Sequence, residues 1–188
     1  MLKILNSIIC CTILIGCSTV ENKATPIPAV SMQKYNTLAM TKFSSPDPAI
    51  GGRVAARLAV RFGAEGYTVI DPDKLRKISG KDVLMSSELT PTDKIVLEAN
   101  GVKAVVYGTI EHYECKTLQE WTWTGFAPEK TDTELCNASL SVKVVDNVTN
   151  NIVWQAHESK SEKNPDATAR MVLEKVLTKI EDEIPKIH

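Results

Sequence analysis

The sequence predicts a single α/β domain, one mixed β-sheet covered by helices, with its elements in the order β-α-β-α-α-β-β-β-α. Three observations predict it. Apolar residues share one helical face at Ile50, Val54, Leu58 and Phe62, and again at Ala169, Val172, Leu173, Val176, Leu177, Ile180 and Ile184. The run Ala104-Val105-Val106-Tyr107 is apolar at every position, as a strand covered on both sides must be. Ala138, Leu140, Val142 and Val144 alternate with Asn137, Ser139, Ser141 and Lys143, the period of two of a half-buried strand.

Taken in order, residues 35–43 (YNTLAMTKF) have the β-branched and apolar content of a first strand. Ser44-Ser45-Pro46-Asp47-Pro48 is a helix-entry signal, and Gly63 and Gly66 end the helix that follows. Residues 67–70 form a short strand, Asp71-Pro72 opens a short helix over 73–78, and residues 79–88 are polar and irregular. Thr90-Pro91-Thr92-Asp93 caps a helix running to Ala99, which Asn100-Gly101 closes. The apolar strand at 104–107 continues through Gly108-Thr109-Ile110 toward Cys115, and residues 116–135 read as an inserted loop. The turn 146–151 then joins the alternating strand to a second one, in which Ile152, Trp154 and Ala156 alternate with Val153, Gln155 and His157, so that the two form a β-hairpin. Asn164-Pro165 opens the last helix.

A chain of 188 residues has room for one domain with a proper core, and 43% apolar with 24% charged residues is a globular composition. With 22 Lys+Arg against 23 Asp+Glu, the formal charge of −1 excludes a strongly basic nucleic-acid binder. No apolar stretch approaches the roughly 20 residues that a membrane-spanning helix needs.

The N-terminus carries an address. Lys3 precedes an apolar stretch from Ile4 to Ile15, the length of a secretory signal. It ends in Leu14-Ile15-Gly16-Cys17, which resembles the lipobox of bacterial lipoproteins. That resemblance implies cleavage of residues 1–16 and acylation of Cys17, which anchors the chain on a membrane through its acyl chains. Ser18 follows the Cys, where an Asp would retain the protein at the inner membrane under the enteric sorting rule, so the resemblance implies the periplasmic side of the outer membrane. Cleavage removes one Lys and no acid, leaving a domain that gains little from anionic lipid. Residues 17–33 read as the lipidated Cys and a polar tether, at most roughly 50–55 Å long when extended, and the domain occupies 34–188.

Of the five Cys, Cys10 and Cys11 leave with the signal and Cys17 takes the lipid. Cys115 and Cys136 remain. In an oxidising compartment they read as a disulfide, with two free thiols as the alternative. A metal site needs more ligands at closer spacing, and no signature marks either Cys as a nucleophile.

Four blocks resemble the domain shared by the curli-secretion lipoprotein CsgG, the penicillin-binding-protein activator LpoB and the N-terminal domain of TolB. These are residues 62–71 (FGAEGYTVID), Asp73-Lys74-Leu75, residues 101–110 (GVKAVVYGTI) and residues 140–154 with their hairpin. The likeness covers roughly residues 33–184, and it departs from the family where Asn150-Asn151 replaces the turn Gly. Asn tolerates the left-handed backbone such a turn requires. The relatives perform different jobs, so the resemblance implies the fold more than the function.

Three constellations are candidates for function. Trp121, Trp123 and Phe126 fall within residues 116–135; they either fold back on the sheet as a satellite cluster or stand out to contact a partner or a membrane surface. A pore-forming hairpin is not expected there, because Pro128, Lys130, Asp132 and Glu134 interrupt any apolar alternation. Arg53, Arg57 and Arg61 line one helix face, either as a solvated surface or as a contact for an anion. His112 and His157, with Glu111, Glu114 and Glu158, lack the tight spacing of metal ligands. No phosphate loop, nucleophile elbow, zinc-protease or dinucleotide motif is present, and no cofactor is expected. The expectation is a non-catalytic, lipid-anchored binding or scaffold protein of envelope assembly or secretion, with envelope proteins as partners and self-association compatible with that role. An activator of a peptidoglycan synthase is the alternative, disfavoured by the short tether, and an envelope enzyme without a recognisable motif is the third reading.

Overall fold

In the computed structural model, which describes residues 29–71, 73, 74, 77 and 90–187, five strands form one mixed sheet. They are β1 (Thr37–Met40), β2 (Thr68–Ile70), β3 (Ala104–Trp123), β4 (Pro128–Asp146) and β5 (Ile152–Lys163), in the spatial order β2-β1-β3-β4-β5. β1 pairs in parallel with β2 and β3, whereas β3, β4 and β5 are antiparallel. Ala104, Val105 and Val106 are fully buried, and β3 runs through the centre of the sheet, as its apolar character on both faces requires.

Helix α1 (Pro48–Ala64) begins where Asp47 accepts a hydrogen bond from the Ala49 N–H at 2.9 Å. Its buried residues Ile50, Val54, Leu58 and Phe62 are the predicted face. Helix α2 (Pro91–Ala99) opens with a reciprocal capping box between Thr90 and Asp93 and closes at Gly101, whose φ of 73° favours glycine. Helix α3 (Ala169–Glu183) buries Val172, Leu173, Val176, Leu177 and Ile180. It starts later than Asn164-Pro165 suggests: Asn164 closes a turn with Asp166 and Ala167, and Thr168 is the cap, accepting from the Met171 N–H.

The main core lies between the sheet and the pair α1 and α3, with Leu38, Met40, Val106, Leu140, Val142 and Trp154 among its members. Phe62 stands at its centre, edge-on to Tyr67 and to Trp154 with ring centroids 5.4 and 5.9 Å apart. Burying such a ring stabilises by about 2–3 kcal/mol. A smaller cluster of Ala39, Leu97, Val102 and Val105 holds α2 against the opposite face. Gly108 is required by packing: a Cβ there would fall 2.1 Å from the Phe43 ring.

The structure corrects the sequence reading in several places. The folded body starts before residue 34: Ala29–Lys34 form a 3-10 helix, η1, and Met32 is buried in the main core, so the last residues assigned to the tether belong to the fold. Alternation puts Ile152 inward, but a register shift between Val144 and Val145 lets Val153 and Trp154 both turn inward and leaves Ile152 exposed. The turn departure is resolved by Asn150, which takes a φ of 59°. The expected short helix at 73–78 and the irregular stretch 79–88 lie outside the described residues, apart from 73, 74 and 77.

Candidate functional site

The largest correction concerns residues 116–135, which form no loop. β3 and β4 stay paired from Ala104↔Asp146 to Trp123↔Pro128, so these residues build a two-stranded ribbon, the arm. β5 ends at Lys163, opposite Leu135, the Asn164 N–H still donates to the Glu134 carbonyl at 2.9 Å, and beyond that only β3 and β4 pair. Thr117, Thr122, Thr131, Thr133 and the two Trp supply strand preference. Gly125, at φ 92°, makes the tip turn, and the Thr124 hydroxyl donates to the Ala127 carbonyl at 3.0 Å. The pattern was unreadable from alternation because neither face of the arm is buried. The signal that could have found it is two Thr-containing segments of similar length, the first also carrying both Trp, about one Thr-Gly turn.

Cys115 and Cys136 are direct partners in the β3–β4 register and are joined by a disulfide, with Cα atoms 4.0 Å apart. The bond crosses the base of the arm. From Cys115 to Trp123 the ribbon advances about 26 Å. Thr117 donates to Glu134 at 2.7 Å along it, and Lys163 on β5 pairs with Glu120.

Register places Trp121 opposite Lys130 and Trp123 opposite Pro128, on the same face as Cys115 and Cys136. The rings do not fold back on the sheet: Trp121 is 68% exposed, Trp123 70% and Phe126, in the tip turn, 97%. Charged residues lie on both faces, Lys130, Asp132 and Glu134 on the Trp face and Lys116, Glu120 and Glu129 on the other, so neither is an apolar stripe.

Arg53, Arg57 and Arg61 do not form one open anion site. Arg57 is bound to Glu181 and Glu174 of α3, and Arg61 pairs with Glu65 at 2.8 Å. Of these three, Arg53 stands exposed with no carboxylate partner among the described residues.

The sheet face beyond α2 carries a cluster that sequence spacing did not reveal. Ser141 Oγ donates to Glu111 at 2.8 Å and lies 2.7 Å from His157 Nδ1. Here the hydroxyl lies between the imidazole and the carboxylate, so His157 does not bridge the other two as a base in a triad would. His112, on β3, is separated from His157 by β4. Among the described residues no three His, Cys, Asp or Glu side chains group as a metal site.

The 3-10 helix η1 and the arm lie at opposite ends of the sheet. η1 leads into β1, and the Tyr35 hydroxyl donates to Asp146 at 2.7 Å, where β3 begins and β4 ends. β3 advances about 60 Å from that end to the arm tip. Cys17 and the lipobox lie outside the described residues.

No family model matches the chain, and no curated protein sequence does. Its fold is similar to that of the PelC dodecamer from Paraburkholderia phytofirmans, with 13% identity over 81% of this chain and 90% of that one (TM-score 0.51). It is also similar to lipoprotein GNA1162 from Neisseria meningitidis, with 16% identity over 78% of this chain and 98% of that one (TM-score 0.50). The LpoB C-terminal domain from Escherichia coli aligns with 68% of this chain and 84% of its own at 13% identity, with a TM-score of 0.41. At these identities the likeness is one of fold, and it is a fold that a bacterial lipoprotein carries.

Proposed function

We propose that the chain is a lipid-anchored binding protein of the bacterial envelope, held by acyl groups on Cys17 at the periplasmic side of the outer membrane, with no catalysis of its own. The observation that carries this reading is the arm: three exposed aromatic rings at the end of a ribbon whose base is covalently closed. A ribbon ordered before contact has little entropy left to lose on binding, so its aromatic area converts efficiently to affinity. Leu14-Ile15-Gly16-Cys17 supports the anchor, Ser18 the outer membrane, and the disulfide suits an oxidising compartment. The fold shared with lipoprotein GNA1162 and with a PelC dodecamer supports a role as a lipoprotein that works in an assembly.

The test is fractionation of cells producing the wild-type chain and the Cys17→Ser variant. Wild type is expected in the outer-membrane fraction with acyl mass on Cys17, and the variant in the soluble periplasmic fraction. A variant that still sediments with membranes would remove the anchoring account.

A further inference from the structure

We infer that the arm of one copy docks, head to tail, on the outward face of α1 in a second copy; this deepens the reading of the protein as an assembly component and rests on it.

The outward face of α1 is not built for water. On the side away from the core lie Ala49, Gly52, Arg53, Ala56, Val60 and Gly63, and Val60 is 75% exposed. A solvent-facing helix ordinarily carries its polar residues there. The 17 residues of α1 include no acid, and its only charges are three Arg. With Arg57 and Arg61 turned to carboxylates of this same copy, Arg53 is left as a single cation on an apolar stripe.

The arm tip is the complement. It presents Trp121 and Trp123, with Phe126 in the tip turn, and on the same face as the two Trp lies Asp132, which has no cationic partner among the described residues. A guanidinium meets an indole face or a carboxylate favourably, and Arg53 would find both on this surface. Three aromatic side chains bury at most about 150–250 Å² each, a large part but not the whole of the roughly 800 Å² that one side of a stable interface needs.

The contact is intermolecular by geometry. α1 packs over the body of the sheet, while Trp121 lies 11 residues beyond Ile110, an advance of about 36 Å. With its base closed by Cys115–Cys136, the arm does not fold back onto its own helix. Nor does an anionic bilayer suit the tip, whose carboxylates such lipid repels. Since arm and helix are different surfaces, the contact is heterologous and propagates from copy to copy until a ring closes or a filament grows.

The test uses the full lipidated chain in detergent, weighed by native mass spectrometry. One variant removes the arm contact (Trp121→Ser with Trp123→Ser), the other the helix contact (Arg53→Glu with Val60→Glu). All four positions are exposed or outward, and unchanged circular dichroism and disulfide content show that each variant folds. Wild type is expected as an oligomer of more than two copies and each variant alone as a monomer. An equimolar mixture of the two is expected to give a one-to-one heterodimer, because one intact arm and one intact helix remain. A monomeric wild type, a variant that still assembles, or a mixture that stays monomeric overturns the inference. In cells, a photoreactive Phe analogue at position 126 is expected to crosslink to residues 49–64 of another copy; crosslinks to lipid or to a different protein overturn it. Cys17→Ser separates the two readings: it is expected to keep the oligomer while losing the membrane, so a failed anchor and a failed contact give different results.

Discussion

Arg57 Nε and Nη2 hold both carboxylate oxygens of Glu181, at 2.6 and 2.8 Å, and so bind α1 to α3 side by side. Glu174, two turns earlier on α3, takes the remaining guanidinium nitrogen. The hydrogen bond from Arg57 to Glu181 is the main reason that the guanidinium holds its proton more tightly than an ordinary one. The Arg side chain is 39% exposed, so water screens the pair. Arg57→Ala is expected to destabilise by about 1–2 kcal/mol, and a double-mutant cycle with Glu181→Ala to show a coupling of about 1 kcal/mol that shrinks in high salt. Arg57→Lys should not restore it, because an ammonium lacks the two-pronged geometry. Zero coupling in denaturant titrations would mean that the helices are held by their apolar faces alone.

Asp146 ties the entry of the chain to the end of β4. Burial on its own raises the carboxyl pKa, but hydrogen bonds from the Thr149 N–H, the Tyr35 hydroxyl and the Val148 N–H outweigh it and hold the group below its ordinary value of 3.8. A depressed carboxylate pKa contributes stability that is present above the unfolded value and is lost as pH falls through the folded one. Stability should therefore drop on acidification below about pH 4. Asp146→Asn is expected to cost about 2 kcal/mol at pH 7 and to flatten the acid limb of the profile. Tyr35→Phe, which removes one donor, should move the Asp146 titration up toward its ordinary value in NMR, and an unmoved titration would show the hydroxyl to be a bystander.

How much of this was legible depended on whether a residue had a dry side. Ile50, Val54, Leu58 and Phe62, and the run from Ala138 to Val144, face a core, so their spacing carries the helix and the strand openly. The arm has no dry side, and its strands therefore left no periodic trace, although its two Trp and its Cys pair were visible as residues. Ile152 misled because alternation assumes an unbroken register, and a one-residue bulge reverses every side chain beyond it. Arg57 read as part of a cationic face because its partners Glu174 and Glu181 lie more than a hundred residues away, whereas the pair of Arg61 with Glu65, four residues on, has a spacing the sequence does show. Long-range pairing leaves no local pattern, so the face that spacing left open as a solvated surface or an anion contact is, in its folded setting, mostly neutralised.

The disulfide should govern the arm more than the body. A crosslink across 21 residues stabilises by about 3 kcal/mol on the chain-entropy model. The loop it closes contains the whole arm, where only two strands pair and no core lies beneath them. An isolated two-stranded ribbon is marginal in water, whereas the body has α1 and α3 packed on five strands. Cys115 is exposed, so reductant has access to the bond without global unfolding. In the Cys115→Ser, Cys136→Ser chain, amide exchange across residues 116–135 is expected to quicken by at least tenfold, while residues 138–144 stay protected and the body melts within a few degrees of wild type. Binding through the arm should weaken in the same variant, because the ribbon must then be ordered at the moment of contact. Should the arm amides keep their protection after the bond is removed, strand pairing alone would be holding the ribbon, and the closed base would have no part in presenting Trp121 and Trp123.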